Sequence, residues 1–294
     1  MLYDIRQTTT YTYTVPVRVA RQVLRMTPVD RAGHQHVIAH MLEILPDPAE
    51  REQGTDFFGN GVTWVTLDAP HDHLQISTRS RVEVLSTALP EAAATPTVEA
   101  VRTEALEIPD LSARAPCHGL FASRAVPLDG EITEWTASSF SGDRPVLEAG
   151  IELMHRIKDG FVYEPGSTIV TTAPHEAFAA RRGVCQDFAQ VMIAGLRGIG
   201  LPARYVSGYL RTVPPEGQAR LEGADATHAW VELWCGRQAG WIGLDPTNAI
   251  PAGDDHIILG IGRDYADVSP VDGVVVASGD HILSVGVDVI PVTR

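Results

Sequence analysis

The hydrophobic period of this chain changes twice along its length, and that change limits the folds open to it. In "YTYTVPVRV", Tyr11, Tyr13, Val15, Val17 and Val19 alternate with polar or small residues, the period of two that lines one face of a strand. "HVIAHMLEIL", "VTWVTL", "LQIST" and "RVEVL" follow as short runs rich in β-branched residues, separated by the turn chemistry of "TPVD", "LPDP" and "GNG". A small antiparallel β-sandwich is the expected product. Residues 86–100, "STALPEAAATPTVEA", are rich in Ala, Pro and Thr and mark the connection to a second unit.

Beyond the connection the period lengthens. In "RPVLEAGIELMHRIKDG", Leu147, Ile151 and Met154 share one helical face, with Pro145 near the start and Gly160 past the end. A short helix is expected over residues 174–181, and after Cys185 the residues Phe188, Met192, Leu196 and Ile199 recur at helical spacing until Gly200 and Pro202 stop them. Strand patterns return in "ARYVSGYL", then in "THAWVELW" and "GWIGLDPT", which are joined through "CGRQA"; a polar loop, "PPEGQARLEGAD", lies between the first and second. The expectation is an α+β chain in two domains: an N-terminal antiparallel β-sandwich over residues 1–110, and a core with a C-terminal β extension over residues 111–294.

Charge excludes one class of partner. Lys and Arg number 23 against 37 Asp and Glu, a net charge of −14, and so acidic a surface repels phosphate backbones, so no nucleic acid partner is expected. No apolar run approaches bilayer length, and "MLYDIRQTTTYTYTV" lacks the basic start, apolar stretch and small-residue cleavage site of a secretion signal. A cytoplasmic location without a membrane partner is the corresponding expectation. The three cysteines, Cys117, Cys185 and Cys235, are widely spaced and form no CxxC pair, which argues against a disulfide framework and a structural zinc site.

Cys185 stands apart from the other two because it opens a helix, in "RRGVCQDFAQVMIAGLRGIG". Unpaired N–H groups and a partial positive charge at a helix N-terminus stabilise a thiolate, and the same N–H groups suit the oxyanion of a tetrahedral intermediate. A thiol nucleophile wants a base, and the base wants an acceptor on its other nitrogen. If the "THAWVELW"–"GWIGLDPT" hairpin turns about the midpoint between Gly236 and Arg237, His228 and Asp245 oppose each other directly and point to the same face. Taken singly, Cys185 is a small buried thiol, His228 a hydrogen-bonded strand histidine and Asp245 a turn opener before Pro246; their ordered combination favours catalysis.

These blocks carry a resemblance. "RRGVCQDFAQVMIAGLRGIGLPARYVSGYL", "DATHAWVELW" and "GWIGLDPTN" are similar to the three motif blocks of the bacterial transglutaminase-like superfamily, whose Cys, His and Asp occur in that chain order and fall on Cys185, His228 and Asp245. "YTYTVPV", "DFFGN" and "GRDYADVSPVDGV" resemble the flanking regions of its members. The resemblance implies a papain-like core in which Cys185 attacks a carboxamide or peptide carbonyl, His228 shuttles the proton and Asp245 orients the imidazole. The backbone N–H of Cys185 would then be one oxyanion donor, with Gln186 and Tyr163 as candidates for the second. The implied function is that of a cysteine peptidase or amidase acting on a peptide or amide substrate. The alternatives are amine transfer by a transglutaminase or peptide ligase, and a catalytically silent binding or scaffolding module.

No cofactor is needed for such chemistry, no calcium loop of the EF-hand type is present, and no metal is expected. Two histidine groups, His34, His36 and His40 in "HQHVIAH" and His71 and His73 in "HDH", read as solvated strand residues rather than ligands. Asp187 reads as a favourable helix-start carboxylate, and Arg263, Asp264 and Asp267 as either cleft residues or a surface ion-pair network.

Overall fold

The computed structural model describes residues 1–86, 88–212 and 226–292. Six strands open the chain: β1 (Leu2–Val17), β2 (Val19–Thr27), β3 (Gln35–Leu45), β4 (Glu50–Thr55), β5 (Gly61–Leu67) and β6 (His71–Val84). Helices α1 (Val98–Glu107), α2 (Gly130–Ala137) and α3 (Val146–Gly160) follow. Next come β7 (Val162–Tyr163), α4 (Pro174–Ala180), β8 (Arg182–Gly183), α5 (Cys185–Gly198), β9 (Ala203–Leu210) and β10 (Ala226–Trp234). The remainder comprises α6 (Gly236–Ala239), β11 (Trp241–Asp245), β12 (Ile250–Pro251), β13 (His256–Gly262), α7 (Tyr265–Val268), β14 (Val271–Val276) and β15 (His281–Pro291). The α+β class is the one the hydrophobic periods require. The polar loop expected over residues 214–225 lies outside the described residues.

Two four-stranded antiparallel sheets, ordered β15–β1–β6–β3 and β14–β2–β5–β4, form the sandwich. Leu24, Met26, Ile44, Leu67, Leu74 and Ile76 are buried in one cluster between them. The alternation that begins at Tyr11 breaks after Tyr13, because the β1–β6 register shifts between Thr12 and Val17, after which β2 continues in the other sheet. Val17 is therefore buried while Val15 and Val19 are exposed. "LQIST" and "RVEVL" are one continuous strand, and β4, exposed along its whole length, has no hydrophobic pattern by which to announce itself.

Sequence order and spatial membership differ in two places. α1, which lies before residue 111, buries Val98, Val101 and Ala105 in the cluster of the second unit. The C-terminal β extension supplies an edge strand to each sheet of the sandwich, with β14 on β2 and β15 on β1. Both α1 and α2 are held by side-chain caps: the Thr97 hydroxyl accepts from Ala100 N–H, and Asp129 accepts from Ile132 N–H at 2.9 Å.

The second unit is built on a five-stranded antiparallel sheet ordered β12–β11–β10–β9–β13. α5 covers one face, where Phe188, Met192 and Leu196 share a buried cluster with Tyr205, Val231 and Leu233. Arg197 locks the far end of that helix: its buried guanidinium donates to the carbonyls of Gly119, Ala203 and Arg263 and to the Ser123 hydroxyl. Burial pulls this guanidinium down to about 10, although Asp264 opposes the shift.

The sandwich packs against the same sheet. Tyr3, Ile5, Val82 and Val84 pack with Tyr209, Ile257 and Leu259 in a buried seam. Gln35 clamps the seam, accepting from Ile258 N–H at 2.8 Å while its amide donates to the Ile258 and Val29 carbonyls. Charge crosses the same boundary: Glu232 on β10 is buried between Arg204 of β9, at 2.6 Å, and Arg31 from the β2–β3 connection. Burial by itself would raise the Glu232 carboxyl, but the two guanidinium groups hold it down to about 2.

Removing one member of such a cluster strands the others. Glu232→Ala is expected to lower the unfolding free energy by about 3–5 kcal/mol in urea titrations. A loss under about 1 kcal/mol, the range of exposed ion pairs, would show that solvent reaches the cluster.

Candidate active site

The approach to Cys185 is set by a short parallel pairing, β7 with β8, which places Tyr163 beside Gly183. Val184 then caps α5, and Asp187 folds back so that its Oδ2 accepts Val184 N–H at 2.8 Å and the Thr168 hydroxyl at 2.6 Å. A Cβ at residue 183 would lie 2.6 Å from that Oδ2, so only glycine lets the cap close. Asp187 is thus a buried helix cap. Cys185 follows as the first residue of the helix, half-buried and unbridged.

His228 approaches from β10. The hairpin register differs from the expected one: Trp234 pairs with Trp241 and Val231 with Leu244, because α6 fills the turn and moves its midpoint by one residue. Continued along the strands, that register opposes Asp245 to Trp230 rather than to His228. The displacement is two positions, so parity survives and both side chains stay on one face of the sheet. His228 Nε2 meets Asp245 Oδ2 at 2.8 Å. Cys185 is close enough to the imidazole to raise its pKa. Burial acts to lower the His228 pKa but is outweighed by the hydrogen bonds and charges of Asp245 and Cys185, which bring it up to about 9.

Asp245 is fully buried, and burial alone would push its carboxyl up. Hydrogen bonds reverse that and hold it far below the usual carboxylate range. Oδ1 accepts from Thr247 N–H at 2.9 Å and Asn248 N–H at 3.2 Å, while Oδ2 accepts from His228, from the Asn248 amide at 2.8 Å and from His256 Nε2 at 3.2 Å. Asn248 and His256 escaped the sequence reading. Asn248 carried a usable signal, since it closes the turn opened by Asp245 in "DPTN". His256 carried none, because it is brought in from a different strand.

Of the remaining candidates, Tyr163 is half-exposed and its phenol is raised by desolvation and by the neighbouring Cys185. Gln186 turns away, its amide donating to the Val170 carbonyl at 2.9 Å. Tyr205, buried on β9, also feels Cys185, and burial raises its phenol well above the ordinary value. Arg263 and Asp267 form an ion pair at 2.8 Å, whereas Asp264 is buried and accepts from Ala125 N–H and Ala266 N–H. Burial pushes the Cys235 thiol up to about 12.

The strand histidines do not converge: His36 pairs with Asp30, His40 with Ser80 and Thr27, and His71 with the Ala69 carbonyl. Among the described residues, the donor atoms of His228, Asp245 and His256 do lie within 4.8 Å of one another. Both imidazoles bond the same carboxylate oxygen, His228 at 2.8 Å and His256 at 3.2 Å.

The sign of the pH dependence follows from His228. Its folded pKa of about 9 lies above the unfolded value of about 6.5, so its contribution to stability is complete below about 6.5 and is lost as pH rises through about 9. Urea unfolding at pH 6 and at pH 9.5 should therefore show a larger loss for the wild type than for His228→Gln. Parallel losses in the two proteins would contradict the assignment.

The bacterial transglutaminase-like N-terminal region matches residues 3–83, and the transglutaminase-like superfamily core matches residues 133–246. An uncharacterized Mycobacterium tuberculosis protein is 37% identical over 302 residues, covering 98% of this chain and 92% of that protein. A Pseudomonas aeruginosa protein-glutamine gamma-glutamyltransferase is 36% identical over 133 residues, 45% of this chain and 19% of that enzyme. The crystal structure of a Cytophaga hutchinsonii protein, provisionally named a cysteine protease, superposes with a TM-score of 0.79 at 21% identity, covering 100% of this chain and 92% of that one, and shares the fold. The family match supports thiol-based catalysis in general. With a relative of this similarity spanning nearly all of it, and with both regions matched in order, the chain belongs to the transglutaminase-like superfamily and carries that family's bacterial N-terminal region.

Proposed function

We propose that the protein is a cysteine peptidase or amidase acting on peptide or carboxamide substrates through Cys185, His228 and Asp245. The observation that carries this reading is the 2.8 Å bond between His228 Nε2 and the buried Asp245 carboxylate, in an imidazole whose pKa is raised by Asp245 and by the neighbouring Cys185. In the reaction, the Cys185 sulfur anion adds to the substrate carbonyl carbon, and the resulting oxyanion lies at the N-terminus of α5, where N–H groups stabilise it. The His228 imidazolium gives its proton to the departing amine as the C–N bond breaks, leaving a thioester on Cys185. His228, now neutral, takes a proton from water as that water attacks; the acid leaves and the thiolate–imidazolium pair is restored. Asp245 keeps the imidazole oriented and stabilises its positive form throughout.

Amine transfer is the second reading, favoured by the resemblance to the Pseudomonas transferase. It differs only in the final acceptor, an amine in place of water.

Intact-mass spectrometry after exposure to a glutamine-containing peptide library is expected to show an acyl adduct on Cys185, absent in Cys185→Ser, which should keep its Tm within a few degrees. Release of free acid in buffer identifies hydrolysis, and diversion to an amide by added primary amine identifies transfer. His228→Ala should cut turnover by roughly 10³-fold or more. If no adduct forms, and iodoacetamide at pH 6 labels Cys185 no faster than Cys117, the protein is a binding module that retains the fold without the chemistry.

A further inference from the structure

The proposed reaction uses one imidazole on Asp245, yet the carboxylate receives two. His256 Nε2 lies 3.2 Å from the same Oδ2 that His228 engages. Its other nitrogen settles the proton's place: Gly253 N–H donates to His256 Nδ1 at 3.2 Å, so Nδ1 presents a lone pair and the proton sits on Nε2, directed at the carboxylate.

The fold goes to some length to deliver this ring. His256 begins β13, which is separated from β10 by β9, and His228 and Ile258 both pair with Gly208 of that intervening strand. Gly208 leaves room above the sheet that a side chain would fill: a Cβ there would lie 2.5 Å from the Trp230 ring and 2.2 Å from the Ile257 carbonyl oxygen. Trp230 occupies that room, stacking with His228 at 6.2 Å and meeting His256 edge-on at 5.1 Å. His256 itself is 2% exposed. The titratable groups facing it are Asp245, His228 and, from the N-terminal unit, His34, behind which stand Arg31 and Glu232.

We propose that His256 is a positioning residue, an imidazole whose Nε2–H holds Asp245 Oδ2 toward His228 and draws off part of the carboxylate charge. Its catalytic meaning rests on the thiol-enzyme reading above; its tautomer and its grip on Asp245 do not. With His256 donating, the carboxylate serves His228 without binding its proton too tightly for release. Without that donor, the same anion is shared among fewer hydrogen bonds and His228 becomes a stronger base.

Two measurements on the full chain test this. Long-range ¹H–¹⁵N spectra of ¹⁵N-histidine-labelled protein, recorded at pH 8, should show the His256 proton on Nε2 with Nδ1 as the bare nitrogen. A His256 protonated on Nδ1 overturns the proposal. The rate of Cys185 alkylation by iodoacetamide is then followed against pH in the wild type, His256→Ala and His256→Gln. The alkaline inflection due to His228 should rise by about half a unit or more in His256→Ala, roughly a threefold change, and return toward the wild-type position in His256→Gln, which restores an N–H donor. An inflection unmoved or lowered in a folded His256→Ala protein reduces His256 to a space-filler beside Trp230 and overturns the proposal. If His256→Ala does not fold, the tautomer and the His256→Gln profile decide. Absence of an acyl adduct with the expected tautomer and inflection sinks the enzyme reading alone; an adduct with the wrong tautomer sinks this one alone.

Discussion

A carboxylate without access to water sits at the end of β11, where side chains from β10 and β13 reach it, and the site is organised around keeping it charged. Desolvating such an ion costs several kcal/mol, which no single neighbour offsets. Asp245 meets the cost with five donors, two of them backbone N–H groups of its own turn, and these fix the direction of both oxygens. Once Oδ2 is fixed, the plane of the His228 ring is fixed, and with it the approach of the ring to Cys185. The proline after Asp245 and the asparagine three residues on therefore belong to the site as much as the histidine does.

Local chemistry was legible in the sequence, and long-range delivery was not. The thiol at the head of an apolar helix announces itself, because helical spacing from Phe188 to Leu196 and the stop at Gly200 and Pro202 define both ends of α5. The shared face of His228 and Asp245 follows from strand parity, which tolerates a two-residue error in register; a one-residue error would have separated them. His256 lay out of reach of such reasoning, since its arrival depends on a glycine two strands from Asp245 and on the path of the chain between β12 and β13. β4 and α1 were missed for a different reason: the first buries no face, and the second buries one too narrow to show against an Ala-rich background.

The sandwich supports the site as well as accompanying it. It packs on the central sheet through the Tyr209, Ile257 and Leu259 seam, through Val29 against Val206, Trp230 and Ile258, and through the Gln35 clamp on Ile258. Glu232, four residues along β10 from His228, is tied to Arg31 of the sandwich and to Arg204, whose guanidinium lies 4.1 Å from the Trp241 ring. Movement between the two units would therefore be transmitted along the strand that carries the candidate base.

The pairing of β15 with β1, in which Tyr3 lies opposite Pro291, has a consequence for biogenesis. Everything from β2 to β14 is enclosed by that contact. A nascent polypeptide emerging from the ribosome can assemble six strands of the sandwich, but it lacks the two that border β1 and β2 until translation has passed the entire helical region. Such distant pairing is slow, and in the interval two bare strand edges are open to capture by other chains. Chaperone demand during synthesis should accordingly be highest late, when the helical region is already compact and the first strands to be made are still waiting for the last.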